Sequence, residues 1–502
     1  MSQIETAVFK IFTQESEKDV KKPWVSNISD SSGTGFCIQV PQLARHLKIK
    51  NEKFILTNAH VIENATKVMV RRYGESIMWI AQIEYALYEC DLAILTVSEA
   101  AFWTNIDPLY IGGIPKSGDK IKIYGYPLHQ INLNITKGYV NRMYLDIMGG
   151  TISSKSIAIQ TDAPVNSGNS GGPVLNKQNK VVGVAFASAP PDEHENIGLI
   201  IPSVTIRFFI SSILNDMFPD NNARRFRGLC RSNLQYQSTH NHSIREYIKI
   251  PPNISGVLTT YSGNNDIKIH DVITKIEDVP IDNSGNMQLN DIIKLIDSKH
   301  KFDSETQKYL GKLEDTAFGG KEILPISNLF GMMNTNTKLT VAVFRGGKEH
   351  NVQLILKPPV FIMPMASYQI DPGYLFVLGM IFMSLNYMLV RRIHNDGQNV
   401  NYTTIPEKSV TQLVILSDIY TSELTEDFPN NNNVIHKVNN TIVKNLQHLH
   451  DIFYINKPKS KTFIVTFYDT NKIVIINNSD IKQYNKKMLE DLNIHKLYIA
   501  DK

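Results

Sequence analysis

The sequence predicts a mainly β protein made of three domains. Up to about residue 220, short alternating or apolar stretches are separated by Gly, Asn and Pro turns, which is typical of a β-barrel or a β-sandwich. Beyond that point, strand patterns mix with helical apolar faces, as in small α+β modules. A chain of 502 residues is also too long for one hydrophobic core. We expect domains at 1–222, 223–360 and 361–502.

The first domain shows a series of strands and one closing helix. Strands are expected at residues 7–12, 53–56, 67–71, 120–124 and 180–185. A helix is expected to begin at Ser203, and its apolar positions fall on one face: Ile206, Phe209, Ile210, Ile213 and Leu214. We expect this helix to pack against the second half of the β-domain and to end it near residue 219.

Three fragments of the first domain carry side chains suited to nucleophilic catalysis. They contain His60, Asp91 and Ser170, in that chain order. A serine hydroxyl is a weak nucleophile at neutral pH, so it needs an imidazole to take its proton and a carboxylate to orient that imidazole. A lone histidine beside an apolar strand is more often structural, but a random chain rarely places all three fragments in one domain. We expect these residues to form a catalytic triad.

Glycines around the serine predict an oxyanion hole. Ser170 lies in a Gly-Asn-Ser-Gly-Gly-Pro segment at 168–173, where glycine permits a tight backbone turn. The amides of Gly168 and Ser170 are expected to point at one spot, where they would stabilise the negative oxygen of a tetrahedral intermediate. The predicted hole is therefore the turn of Gly168, Asn169 and Ser170.

These fragments resemble the chymotrypsin-like serine proteases and, among them, the Deg/HtrA family. The matching segments are Gly-Thr-Gly-Phe at 33–36, Leu-Thr-Asn-Ala-His-Val at 56–61, Cys-Asp-Leu-Ala-Ile-Leu at 90–95, Gln-Thr-Asp-Ala at 160–163, Asn-Ser-Gly-Asn-Ser-Gly-Gly-Pro at 166–173, Val-Gly-Val-Ala-Phe at 182–186 and Ile-Gly-Leu-Ile-Ile-Pro-Ser at 197–203. The later part of the chain looks most like plant-type Deg proteases. The resemblance implies a chymotrypsin-like double β-barrel followed by two PDZ-like modules.

The resemblance also implies a primary specificity pocket. Its walls are expected to be Pro164, Val165, Asn166, Phe186, Ala187 and Ser188, with Ile197 opposite. None of these side chains is acidic, so a cationic P1 side chain would lose its hydration without gaining a partner. We expect cleavage after small or medium apolar residues. Asn169 stands where secreted digestive enzymes have an aspartate, so activation by N-terminal cleavage is not expected.

The middle domain is expected to be the first PDZ-like module. Its strands, helix and hairpin are expected at 255–259, 270–276, 289–296 and 341–356, with His270 where the family often has glycine. Gly228, Leu229 and Cys230 match two of three positions of the family's carboxylate-binding loop. The alternative for this basic segment is a solvated linker. The polar residues 299–321 are expected to form an inserted loop.

The last domain is expected to be a degenerate PDZ-like module that serves contact or assembly. A strand at 412–416, a helix at 441–453 and a hairpin at 462–476 are expected. The uncharged run 373–390 is long enough to be a transmembrane candidate. Its polar residues Ser384 and Asn386 and the folded-looking segment after it instead favour the start of this module.

Composition narrows the classes of partner and the location. The formal net charge of +4 gives no reason to expect nucleic acid. Cys37, Cys90 and Cys230 are odd in number and far apart, which predicts a reducing compartment, and residues 1–24 lack the pattern of a signal peptide or a transit peptide. We expect an intracellular protein of the cytoplasm or nucleus. No cofactor is expected, and the His-Asn-His at 240–242 lacks a third metal ligand nearby.

Two functions are consistent with these patterns. The first is an ATP-independent serine endopeptidase of the Deg/HtrA type, which would act on misfolded or selected proteins and assemble as a trimer or a multiple of a trimer. The second is a chaperone-like or PDZ-mediated binding protein that kept the barrel without turnover. The complete set of His60, Asp91 and Ser170 favours the endopeptidase.

Overall fold

Two compact units make up the structure, a computed structural model of the chain. The first comprises Met1–Gln14 and Asp30–Pro359, and the second comprises Glu15–Ser29 and Val360–Lys502. The structure describes residues 3–19, 22–128, 130–147, 155–188, 197–215, 229–230, 232–311, 322–357, 363, 373–395, 397–400, 408–420, 424–426, 428, 432–456, 461–468, 470–492, 494 and 496–500. The domain boundaries expected at 222/223 and 360/361 fall outside these residues and stay predictions.

The first unit begins with a closed six-stranded barrel. Its strand order is β1-β2-β3-β6-β5-β4. The strands are β1 (Val8–Lys18), β2 (Ser26–Gln39), β3 (Lys53–Thr57), β4 (Ala65–Arg71), β5 (Met78–Leu87) and β6 (Leu92–Thr96). Two short helices accompany them, α1 (Gln3–Thr6) and α2 (Pro41–Leu47). Proline in the first turn of α2 and a left-handed Lys48 after its last turn are the usual start and stop signals of a helix.

A second closed barrel follows, with the strand order β10-β11-β12-β9-β8-β7. Its strands are β7 (Lys120–Gly125), β8 (Asn134–Ile147), β9 (Lys155–Thr161), β10 (Pro173–Leu175), β11 (Val181–Ser188) and β12 (Gly198–Pro202). The expected helix is present as α3 (Ser203–Leu214), and it contacts β11 and β12. The predicted mainly β fold with a double barrel is therefore confirmed.

The first unit also contains an α+β module. Its elements are β13 (Leu234–Ser238), α4 (His242–Ile248), β14 (Val257–Ser262), β15 (Val272–Ile276), β16 (Val279–Pro280), β17 (Asn286–Gln288), α5 (Leu289–Lys299), α6 (Ser304–Leu310), β18 (Ile323–Pro325), α7 (Ile326–Gly331), β19 (Lys338–Arg345) and β20 (Lys348–Ile355). The main sheet has the order β13-β14-β15-β19-β20, with β16 beside β15, and β17 pairs with β18.

Two local features of this module bear on the predictions. The inserted loop expected at 299–321 is only partly right, because residues 304–310 form α6, whose first turn is capped by Asp303 through a 2.8 Å bond from the amide of Thr306. His270 has a φ of +72°, a left-handed backbone conformation that glycine adopts more easily than a residue with a side chain.

The second unit is built on an eight-stranded sheet with the order β27-β26-β24-β23-β22-β21-β28 and β25 beside β24. Its elements are β21 (Tyr374–Val377), β22 (Met380–Ser384), α8 (Tyr387–Asn395), β23 (Val414–Ile419), β24 (Asn433–Val438), β25 (Thr441–Ile442), α9 (Leu446–His450), β26 (Thr462–Phe467), β27 (Ile473–Asn477), α10 (Asn478–Asp491) and β28 (Tyr498–Ile499). A π-helix, Asp451–Ile455, follows α9. Trp24 packs within this unit on Tyr374 and Tyr420 at ring distances of 5.7 and 6.4 Å.

The uncharged run at 373–390 folds into a hairpin and the start of a helix. Strands β21 and β22 pair across a turn in which Gly379 has a φ of +84°, and both strands are fully buried. Because both faces of these strands are buried, successive residues along them are apolar. Among the described helices, none is long and apolar enough to cross a membrane. The single helix expected at 441–453 is instead β25, α9 and the π-helix.

Candidate active site

Antiparallel pairing of β3 with β6 brings His60 and Asp91 together. Thr57, the last residue of β3, pairs with Ala93 near the start of β6, so the residues just beyond these strand ends are neighbours. His60 opens a short 3-10 helix, and its Nδ1 lies 2.6 Å from Oδ2 of Asp91. The backbone amide of His60 donates to the other carboxylate oxygen at 2.8 Å. Asp91 therefore fixes both the backbone and the ring of His60.

Asp91 is held in an unusual backbone conformation. Its φ is +52°, which is uncommon for a residue with a side chain, and its side chain is only 1% exposed. The buried side-chain amide of Asn58 donates through Nδ2 to the backbone carbonyl of Asp91 at 2.9 Å. Asn58 belongs to the matching segment at 56–61, but a role for it was not predicted. It stabilises the strained residue that orients the histidine.

The environment of His60 favours its protonated form. Burial is the largest single influence and lowers the pKa of His60. The charge of Asp91, its hydrogen bond and the charge of Glu63 together outweigh burial, so the pKa of His60 is raised above its usual value. The imidazole side chain is still 39% exposed, which leaves it open to a reacting group.

Phe186 of the second barrel contacts both Ser170 and His60. The Ser170 hydroxyl donates its proton to the backbone carbonyl of Phe186 at 2.8 Å. The Phe186 ring lies edge-on to the His60 ring, with centroids 5.9 Å apart. A β-bulge sits at Phe186, because Ala185 pairs with Ile200 and Ala187 with Leu199, so the residue between them is left without a partner in the ladder. The bulge turns this carbonyl toward the serine.

The turn around Ser170 needs glycine at two positions. Gly168 and Gly171 have φ values of +93° and +86°. A Cβ atom on Gly168 would lie 2.4 Å from the carbonyl oxygen of Tyr126, and one on Gly171 would lie 2.0 Å from that of Thr34. Both contacts are with backbone, which cannot move aside easily, so larger residues are excluded at these two positions.

The peptide before Gly168 has a defined direction. The amide of Leu128 donates to the carbonyl of Ser167 at 2.8 Å. In a trans peptide the N–H points opposite to the C=O, so the N–H of Gly168 points away from Leu128. None of the described residues accepts a hydrogen bond from the amides of Gly168 or Ser170. The amide of Asn169, in contrast, donates to the carbonyl of Asn166 at 2.9 Å.

Thr34 ties this turn to the first barrel. Its amide donates to the carbonyl of Ser170 at 2.9 Å, and its hydroxyl donates to the carbonyl of Gly168 at 2.7 Å. The same hydroxyl accepts from the amide of Tyr126 at 2.9 Å, and the Thr34 carbonyl accepts from the Thr57 hydroxyl at 2.7 Å. Thr34 is fully buried, and its four hydrogen bonds, two donated and two accepted, hold the serine turn against both barrels. The sequence placed Thr34 in a matching segment without assigning this role.

The residues expected to line the pocket flank the serine turn. Val165 is buried and packs on β12, where a Cβ on Gly198 would meet its Cγ2 at 2.8 Å. Pro164 and Asn166 are exposed, and Phe186 and Ile197 are half-buried. Ala187 and Ser188 are placed by backbone pairing in β11 with Leu199 and Gly198, and their side chains lie outside the described part of the chain.

The expected carboxylate-binding loop is described only in part. Gly228 lies outside the described residues, Leu229 is half-buried and Cys230 is buried. Burial raises the pKa of the Cys230 thiol to about 12, although a hydrogen bond with Thr335 acts in the opposite direction. The Cys230 side chain thus belongs to the interior of the module, and carboxylate binding by this loop stays a prediction.

Two closed six-stranded barrels and a match to the trypsin-like peptidase domain define the class of trypsin-like serine endopeptidases. Residues 33–184 match the family of the trypsin-like peptidase domain, and residues 363–501 match the PDZ domain. The chain belongs to the Deg/HtrA family of Do-like serine proteases. It is 30% identical over 487 residues to protease Do-like 4, mitochondrial, of Arabidopsis thaliana, covering 96% of this chain and 83% of that protein.

One further relative and two solved structures are also similar to this chain. Protease Do-like 2, chloroplastic, of Arabidopsis thaliana is 27% identical over 505 residues, covering 99% of this chain and 75% of that protein. Among solved structures, the HtrA-type protease AlgW with a decapeptide is 17% identical with a TM-score of 0.45, covering 71% of this chain and 97% of that one. A serine endoprotease from Yersinia pestis has 17% identity and a TM-score of 0.40, covering 71% of this chain and 96% of that one.

The expected location in the cytoplasm or nucleus is wrong. The names of three similar relatives, Do-like proteases 4, 2 and 3, assign those proteins to mitochondria or chloroplasts. The prediction rested on the lack of a targeting pattern at residues 1–24 and on three cysteines, which are free and buried in the structure. Free cysteines indicate a reducing environment, which several compartments share, so they could not identify the cytoplasm or nucleus.

Proposed function

We propose that this serine protease hydrolyses peptide bonds of misfolded or selected proteins, without ATP, through a triad of His60, Asp91 and Ser170. The observation that supports it best is the 2.6 Å contact between Nδ1 of His60 and Asp91, because a ring held through Nδ1 keeps its other nitrogen, Nε2, available to take a proton. The serine hydroxyl is linked to His60 through Phe186, because it donates to the Phe186 carbonyl at 2.8 Å and the Phe186 ring lies 5.9 Å from the His60 ring.

In the proposed mechanism, substrate binding redirects the hydroxyl of Ser170 from the Phe186 carbonyl to Nε2 of His60, and Nε2 takes the proton as the serine oxygen attacks. The serine oxygen attacks the scissile carbonyl, and the oxyanion is stabilised by the amides of Gly168 and Ser170. Asp91 stabilises the resulting imidazolium, in line with the raised pKa of His60. His60 then gives its proton to the leaving amine, and a water molecule hydrolyses the acyl-enzyme by the same route.

Digestion of a denatured protein is the direct test of this function. The intact chain should cut reduced, unfolded casein in the absence of ATP, and a Ser170→Ala variant on the same gel should not. Cutting that requires ATP, or binding of the casein without cutting, would contradict the proposal and favour a chaperone-like protein.

We also propose that the primary pocket accepts small or medium apolar P1 residues. Val165 is buried against Gly198, and none of the seven pocket residues carries an acidic side chain. A lysine placed there would lose its hydration without a charge partner, so a peptide with Val at P1 should have a kcat/KM about 100-fold or more above the same peptide with Lys. Mass spectrometry of digested casein should show new C-termini that are mainly Val, Ala or Ile. Products ending mainly in Lys or Arg would overturn the assignment.

Assembly as a trimer or a multiple of a trimer is a further part of the proposal. An exposed apolar patch on the first barrel, formed by Ile77, Met78 and Ile80, supports a contact between copies. Light scattering of the purified protein should give a mass that is a multiple of three chains. A Met78→Glu/Ile80→Glu variant should lower that mass, whereas a monomeric or dimeric wild-type protein would refute trimeric assembly.

A further inference from the structure

The loop between β7 and β8 packs directly on the serine turn. A Cβ on Gly168 would lie within 2.4 Å of the Tyr126 carbonyl and 2.7 Å of the Leu128 amide nitrogen. The amide of Leu128 also holds the carbonyl of Ser167 at 2.8 Å and so sets the direction of the Gly168 N–H. A displacement of this loop would therefore rotate the amide proposed to bind the oxyanion.

Two cations from the first barrel hold the same loop by consecutive backbone carbonyls. Nζ of Lys10 donates to the carbonyl of Gln130 at 2.8 Å, and Nη2 of Arg71 donates to the carbonyl of Ile131 at 2.8 Å. Both cations also lie over the ring of Phe12, at 5.0 and 5.7 Å from its centroid. Three side chains of the first barrel thus form one anchor for a loop of the second.

A buried lysine at position 10 does little for the stability of the fold. Lys10 is only 6% exposed, and burial and the neighbouring charge of Arg71 both lower the pKa of its ammonium group. Keeping two like charges together at a buried position opposes folding. A charged donor gives a stronger and more directional bond to a carbonyl than a neutral donor does, which suits a loop that must be held in one place.

We infer that Lys10 and Arg71 are positioning residues that keep the Gly168 amide aimed at the oxyanion by clamping the β7–β8 loop. This inference rests on the proposed triad mechanism. The amide acts mainly on the transition state, because the oxyanion forms only there. Loosening the clamp should therefore reduce kcat and leave KM nearly unchanged, which a purely structural role would not produce.

A Lys10→Met variant tests the clamp, because methionine keeps the apolar stem and removes the donor. On a short fluorogenic peptide, kcat should fall about 10-fold, less than the 10²–10³ expected for removing an oxyanion donor outright. KM should change less than about 2-fold, since ground-state contacts are kept. The affinity for a peptide boronic acid, whose tetrahedral adduct places an oxygen in the hole, should weaken by the same factor as kcat/KM.

Lys53→Met is the matched control. Lys53 also belongs to the first barrel and donates its Nζ to a backbone carbonyl, that of Ile106 at 2.7 Å, but it begins β3 whereas His60 follows the end of that strand. This variant should keep the wild-type kcat and boronate affinity. Equal kcat in Lys10→Met and Lys53→Met would overturn the clamp.

Arg71→Gln keeps the inference testable if Lys10→Met fails to fold. Arg71 is half-buried, so its replacement is compatible with folding. It should lower kcat and boronate affinity in the same direction by a smaller factor, and an unchanged kcat would refute the clamp. Failure of the triad proposal looks different, because the wild-type protein would then be inactive or Ser170→Ala would stay active.

Discussion

Replacement of Ser170 by alanine is expected to lower kcat by about 10⁴-fold or more, because the one heavy atom that it removes, the hydroxyl oxygen, is the proposed nucleophile. The change should leave the fold intact. Ser170 is half-buried, and within the described part of the chain its side chain makes one hydrogen bond, to the Phe186 carbonyl. Hydrolysis of a fluorogenic peptide and thermal unfolding, measured on the same preparation, check both parts.

Ser167→Ala is the matched control for this experiment. Ser167 lies in the same turn, but it contributes its backbone carbonyl to the structure, and its residue is exposed. This variant should keep near-wild-type kcat. His60→Ala should resemble Ser170→Ala, since either change removes one part of the same proton-transfer unit. Residual hydrolysis near the wild-type level in Ser170→Ala or His60→Ala would contradict the triad.

The parts of the site that follow from local chemistry could be predicted from the sequence. The glycines at 168 and 171 were expected to permit a tight turn, and both have positive φ values with no space for a side chain. His60 and Asp91 were placed as partners by their order and strand context, and they are in contact at 2.6 Å. These features depend on a residue's own conformation or on one strand pair, and such information is short-range.

The parts that could not be predicted depend on register and on distant segments. The bulge that presents the Phe186 carbonyl exists only because β11 and β12 pair with one extra residue in between. The four bonds of Thr34 join segments as far apart as Gly168. Lys10 contacts Gln130, which is 120 positions away. Periodicity contains no information on such pairs.

Two errors in element type have different origins. The helix α6 was missed within a polar segment, although Asp303 followed by Glu305 is a start signal that the sequence displays. The first part of the helix expected at 441–453 is a strand, because Ile442 pairs with Lys437 across a tight turn. An apolar spacing of three and four cannot reveal that pairing, since tertiary contacts decide short segments.

Arg207→Met is expected to cost about 3–5 kcal/mol in the free energy of unfolding, the range for breaking one side of a buried ion pair. Arg207 lies on α3, is 1% exposed and donates through Nη2 to Asp297 of α5 at 2.6 Å. Its Nη1 donates to the carbonyls of Leu310 and Gly311. Burial lowers the pKa of this guanidinium, while Asp297 acts in the opposite direction. Methionine would leave Asp297 without its charge partner.

The same junction offers an exposed ion pair as a matched control. Arg45 of α2 pairs with Asp303 and with Glu305 of α6, the latter at 3.0 Å, and its side chain is 53% exposed. Water already solvates these charges, so Arg45→Met should scarcely move the urea midpoint or the melting temperature. A double variant, Arg207→Met with Asp297→Leu, should recover part of the lost stability, because no isolated charge remains buried. Urea unfolding of the intact chain compares the two single variants. If Arg207→Met and Arg45→Met lowered the free energy of unfolding by the same small amount, this ion pair would not fix helix α3 to the neighbouring module. The junction would then have to depend on apolar packing alone.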